Sequence, residues 1–143
     1  MLYGTLVVGA LDALDAIVFF GLRGVAPVRI FHSIAAGLLG RSAFQGGVAT
    51  AALGVCLHFF IAFLIVSVFY LASLGAPVLT RYPVTAGVLY GIAVYFVMND
   101  VVVPLSAAGR GPFVLPVFVN GILIHALGVG VPSAWFARLA SVR

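Results

Sequence analysis

Four stretches of this sequence are each long and apolar enough to cross a bilayer, and that constraint outweighs every other. A helix needs about 20 residues to cross the hydrocarbon core. Residues 3–21, 48–74, 84–104 and 116–137 meet that length. Lipid offers no water to exposed backbone groups, so such stretches must close their own hydrogen bonds as helices. Composition agrees: 7% of the 143 residues are charged and 64% hydrophobic, with mean hydropathy +1.30. A soluble domain carries about 25% charged residues. The expected fold is all-α, a polytopic membrane protein with four transmembrane helices plus one short interfacial or re-entrant helix, residues 1–143 making a single domain.

Charge gathers mostly at the edges of these stretches. The seven basic residues are all arginine and the three acids all aspartate. In a soluble chain a pI near 9.9 would point to nucleic acid. Here the arginines fall in connections and tails, where they meet lipid headgroups. The lipid bilayer is the expected partner, and nucleic acid is not. Cys56, the single cysteine, lies inside a span, so no intramolecular disulfide can form. The first stretch lacks the basic start of a signal peptide, and Asp12 and Asp15 interrupt its apolar run. It is expected to stay as a first helix. If the four helices alternate in direction, Tyr3, Tyr70, Tyr82 and Trp135 share one face as an interfacial belt.

The first connection is long and only weakly polar. Its segment PVRIFHSIAAGLLG places Ile30, Ile34 and Leu38 on one helical face and Arg29, Ser33 and Ala36 on another. Pro27 suits a first helical turn and Gly40 a helix end. Too short to span, this helix either lies at the headgroups or re-enters the membrane, bringing Arg29 and His32 towards the aspartates.

Polar residues inside the spans carry the functional information, because an ionisable side chain at bilayer depth costs several kcal/mol. They are Asp12 and Asp15, His58, Asn99 and Asp100, and His125, one set from each of the four stretches. Counted from the face of the first and third connections at 1.5 Å per residue, Asp15 lies about 9 Å deep, Asp12 about 13 Å, His58 about 15 Å, His125 about 14 Å and Asp100 about 6 Å. All five fall in one half of the membrane. Asp12 and Asp15, three apart, share a helical face. Small and polar stripes accompany the histidines: Thr50, Gly54, His58 and Ala62; Gly121, His125, Gly128 and Pro132; and Gly87, Gly91, Tyr95 and Asn99. Small residues mark close helix approach, so the histidines are expected to face the bundle interior.

Such a cluster admits four readings. Carboxylates and imidazoles along a wet cavity pass protons or ions. Imidazole with carboxylate also suits zinc, iron or manganese, with His58 and His125 as candidate ligands. The matched depths of those two histidines would fit a b-type haem. Finally, each histidine can simply hydrogen-bond a neighbouring helix and fix packing. Nothing resembles a phosphate loop, a nucleophile elbow or a zinc-protease motif, so an enzyme is not the favoured expectation, nor is any bound cofactor.

From about residue 46 onward the chain resembles the YagU-like family of bacterial inner-membrane proteins. The residues that carry this are His58-Phe59-Phe60 leading to Tyr70, Gly87-x-x-x-Gly91 running through Met98 to Pro104-Leu105, and His125 followed by a helix ending in Arg138. The resemblance implies a small multi-pass protein of the bacterial inner membrane with histidines at matching span positions, and implies no reaction.

Two function classes follow. One is transport of a proton, ion or small solute through a pocket lined by Asp12, Asp15, His58, Asn99, Asp100 and His125, with Arg29 and His32 secondary. The other is an accessory or structural subunit whose polar residues serve assembly. Four helices enclose little volume, so a homo-oligomer or a larger membrane complex is expected. Arginines divide almost evenly between the two faces; drawing Arg29 inward would tip both termini to the cytoplasm.

Overall fold

A computed structural model describes residues 1–141 of the chain, and the protein is a multi-pass helical membrane protein. Its four long apolar helices are α1 (Leu2–Gly21), α3 (Gly47–Gly75), α5 (Pro83–Leu105) and α6 (Leu115–Ser141). Two short helices lie between them, α2 (Pro27–Leu39) and α4 (Val78–Arg81), and a 3-10 turn over Gly40–Gln45 links α2 to α3. No strand occurs among the described residues.

Local chemistry sets these boundaries. Pro27 and Pro83 open α2 and α5, where a missing backbone N–H costs nothing. Gly40, at φ +62°, closes α2 in a conformation that disfavours a side chain. At 29 residues, α3 extends about 44 Å, beyond the roughly 30 Å hydrocarbon core, so it tilts or projects into the headgroups. Large apolar side chains stand exposed on the outside of every long helix, among them Leu14, Phe60, Leu89 and Leu127. Such a surface suits an apolar surrounding, as lipid provides.

Inside, the bundle packs in layers. Val8, Ala62, Val66 and Val129 form a dry cluster at mid-length. Nearer the termini, Phe69 packs on Ala134 and Ala137, and the Tyr90 hydroxyl donates 2.6 Å to the carbonyl of Ile65. The tightest seam joins α5 to α6. A Cβ on Gly91 would overlap the carbonyl of His125, and one on Gly130 would overlap the carbonyl of Gly87, so the two backbones touch directly. The Gly87-x-x-x-Gly91 stripe thus packs within one chain.

The helix α2 packs on α3, with Gly54 set against the backbone of Phe31. Its buried side draws on both sequence faces. Ile30 is buried, but Leu38 is 64% exposed, and His32, Ala35 and Ala36 are buried instead. Close approach at Gly54 favours alanines over a long side chain at the contact. Arg29 and His32 do not turn towards the aspartates. Arg29 lies 5.6 Å from the ring centre of Phe44, and His32 Nε2 sits 2.8 Å from the carbonyl of Gly47, fastening α2 to the start of α3. Arg29 therefore remains at the face of the first connection and does not tip the arginine balance towards cytoplasmic termini.

Two features had no counterpart in the sequence reading. Met98–Val102 in α5 and His125–Gly130 in α6 are π-helical. Wider turns of this kind occur within α-helices often at functional sites.

Candidate functional site

A cavity of about 500 Å3 opens between α1, α2, α3, α5 and α6. Its walls are apolar, with Ile34, Ile61, Ile65 and Val102 among them, and its polar side chains include Asp12, His58, Asn99 and His125. Three of these lie in one layer. One turn further along each helix stand Val8, Ala62 and Val129, the dry cluster that closes the cavity towards the termini. The i, i+4 repeat of a helix makes this stacking inevitable once the upper layer is aligned.

Backbone carbonyls fix both imidazoles. His58 Nε2 lies 2.8 Å from the Gly9 carbonyl oxygen, which can only accept, so Nε2 carries hydrogen. That leaves Nδ1 as the free position, 4.0 Å from Asp12 Oδ2. His125 Nδ1 lies 2.9 Å from the carbonyl of Gly121 and likewise carries hydrogen, while sitting 4.0 Å from Asp12 Oδ1. The ring of Tyr95 meets the His125 ring edge to face, with centroids 5.5 Å apart. Gly121 is glycine because a side chain there would strike Tyr95.

Asp12 thus stands between two imidazoles, one carboxylate oxygen towards each. Both separations are too long for a hydrogen bond. They are close enough for either imidazole, if protonated, to attract the carboxylate. Side-chain exposure is 12% for His58, 17% for His125 and 28% for Asp12, so the carboxylate is the member most open to the cavity.

The other aspartates are satisfied. Asp15 Oδ2 accepts from Asn120 Nδ2 at 2.7 Å, tying α1 to α6. Asp100 pairs with Arg110 at the membrane face, outside the Asp12 cavity. This pair borders a second cavity of about 450 Å3, lined also by Tyr95 and Phe118. The two cavities share Asn99, whose Nδ2 donates 2.9 Å to the Tyr95 carbonyl. Among the described residues, Asp12 is the one aspartate that accepts no hydrogen bond.

So the structure joins Asp12, His58, His125 and Asn99 around one cavity. It places Asp15 one turn away, Asp100 at a separate mouth, and Arg29 and His32 at the α2–α3 contact. Asn120 and Tyr95 were not anticipated as partners; Asn120, in the same half of the membrane as Asp15, was a signal that could have found the first.

Among the described residues, no three of His, Cys, Asp or Glu form a set able to hold a metal ion. A haem clamped by His58 and His125 would need a free nitrogen of each ring aimed at one iron. Yet His58 Nε2 is committed to Gly9, and Nδ1 of both rings faces Asp12. His58 therefore has no free Nε2 to offer a haem iron. No family model, no curated protein and no solved structure matches this chain.

Proposed function

We propose that the protein moves a small solute or ion across the membrane with a proton held in turn at Asp12 and His58. The observation that carries this reading is the Asp12 carboxylate, left without a hydrogen bond between two imidazoles at the foot of a cavity. A stranded charge of that kind is costly in a membrane and is usually retained for function. In this reading the solute enters past Asp100 and Arg110, and Asn99 stands where the two cavities meet. A proton taken at His58 Nδ1 makes an imidazolium facing Asp12. Release on the far side requires Val8, Ala62 and Val129 to part. Val129 belongs to the π-helical segment of α6, a place where a helix can change its register.

Placement in a bacterial inner membrane, kinship with the YagU-like family and assembly as a homo-oligomer belong to the same proposal. Cytoplasmic termini do too, although Arg29 no longer supports them; a C-terminal reporter active only in the periplasm would overturn that placement. A second reading, an accessory subunit of a larger complex, is favoured by one feature: both cavity histidines are anchored to backbone carbonyls, as packing residues are.

Liposomes distinguish the two. A transporter reconstituted alone dissipates an imposed proton gradient when its solute is present, and loses this with Asp12→Asn. Sealed vesicles from pH 5 to 8, together with a stable co-purifying complex, would decide for the subunit.

A further inference from the structure

The hydrogen bonds around the Asp12 cavity leave it almost entirely with acceptors. Asp12 offers both carboxylate oxygens. His58, with hydrogen on Nε2, offers the Nδ1 lone pair; His125, with hydrogen on Nδ1, offers Nε2. Asn99 spends an N–H on the Tyr95 carbonyl and keeps its amide oxygen and one N–H. The two lining hydroxyls are used as donors already: Ser33 Oγ donates to the Ile30 carbonyl and Ser106 Oγ to that of Val103. Among the described residues no arginine lines the cavity. A site with this inventory repels carboxylates and phosphates and gives a sugar hydroxyl little to accept from.

Charge points the same way. With neutral imidazoles the cavity carries one uncompensated negative charge inside the membrane, and a cation offsets it. A bare metal ion finds too few oxygen ligands here, since small hard cations take six or more. The apolar walls, Ile34, Ile61, Ile65 and Val102 included, suit a hydrocarbon body. At about 500 Å3 the space falls within the range of small-molecule sites, roughly 300–1,000 Å3.

We infer that this cavity binds a protonated primary amine on an apolar body, its three N–H groups donating to Asp12, to His58 Nδ1 and to the Asn99 oxygen. This deepens the transport proposal and rests on it for direction of movement, but binding itself does not depend on transport. The titratable groups facing the ligand would be Asp12 from α1, His58 from α3 and His125 from α6, with Tyr95 of α5 behind the His125 ring. The helix α2 contributes only Ser33 as a polar group.

The full chain in nanodiscs, with empty nanodiscs as reference, provides the test by calorimetry at pH 8. Phenethylammonium should bind. Its N,N,N-trimethyl analogue, equal in charge but without N–H donors, should bind at least tenfold more weakly, and so should neutral 2-phenylethanol. Asp12→Asn should reduce ammonium affinity at least tenfold. Ile34→Trp, which fills the cavity from α2 without entering the four-helix packing, should do the same, while Arg29→Gln should change nothing. Equal binding of the three probes, or full affinity in both Asp12→Asn and Ile34→Trp, would overturn the inference, as would no ammonium binding at all. If liposomes dissipate their gradient while no amine binds, the pathway stands and the ligand class falls. If the ammonium binds and vesicles stay sealed, the reverse holds.

Discussion

The two faces of α6 are built on opposite principles. Towards α5 it presents Gly130 and the backbone of His125 and Ala126 to Gly87 and Gly91, main chain against main chain with no room for a methyl group. Towards α1 and α3 it presents His125, which faces Asp12 at the cavity, and Asn120, which bonds Asp15 directly. One face excludes everything and the other admits solvent or ligand. The contrast shows how so small a bundle can hold a polar group still. Packing without a hydrophobic driving force depends on close fit, and the α5–α6 seam supplies it. His125 is then fixed by a contact on the far side of its own helix, and the cavity face is free to remain open.

The α5–α6 seam is the more sensitive of the two faces. Gly91→Leu drives a side chain into the His125 carbonyl, and neither backbone can retreat. We expect a loss of about 3 kcal/mol or more, read as a collapse in monodisperse protein recovered in detergent. Gly128→Ala sharpens the contrast. A methyl there meets the end of Ile124 and the Cβ of Leu11, side-chain atoms that can shift, so thermal unfolding in detergent should show at most a small decrease.

Next in size is His58→Ala. It leaves the Gly9 carbonyl without its donor, at a cost of about 1–3 kcal/mol, and it removes the group facing Asp12. Both the unfolding midpoint and the flux should fall. The smallest effect belongs to the mouth. Asp100 and Arg110 are 50% and 65% exposed, so Asp100→Asn should cost about 0–1 kcal/mol, checked by the same unfolding measurement.

Much of this arrangement was legible in the sequence because it follows from length and depth. Spans of some twenty apolar residues fix where helices begin and end within a residue or two, except that α6 runs on to Ser141. Equal depth on antiparallel helices places Asp12, His58 and His125 in one layer, and the i±4 positions Val8, Ala62 and Val129 in the next. What escaped was set by contacts between helices. The π-helical turns at Met98–Val102 and His125–Gly130 leave no mark in composition, since either stretch could wind as α-helix alone. Which face of α2 is buried was not legible, because proximity to Gly54 selects Ala35 and Ala36 over the larger Leu38. Arg29 found an aromatic ring nearby sooner than a carboxylate across the cavity.

In the transport reading Asp12 is kept for function and not for packing, and the unfolding midpoint of Asp12→Asn separates the two roles. A carboxylate that accepts no hydrogen bond and faces an apolar cavity contributes nothing to the fold that an amide of equal size would lack. We predict a midpoint equal to or above that of the wild type in the same detergent, with proton-coupled flux abolished. A fall in the midpoint as large as that of His58→Ala, with flux retained, would contradict the account and make Asp12 a packing residue.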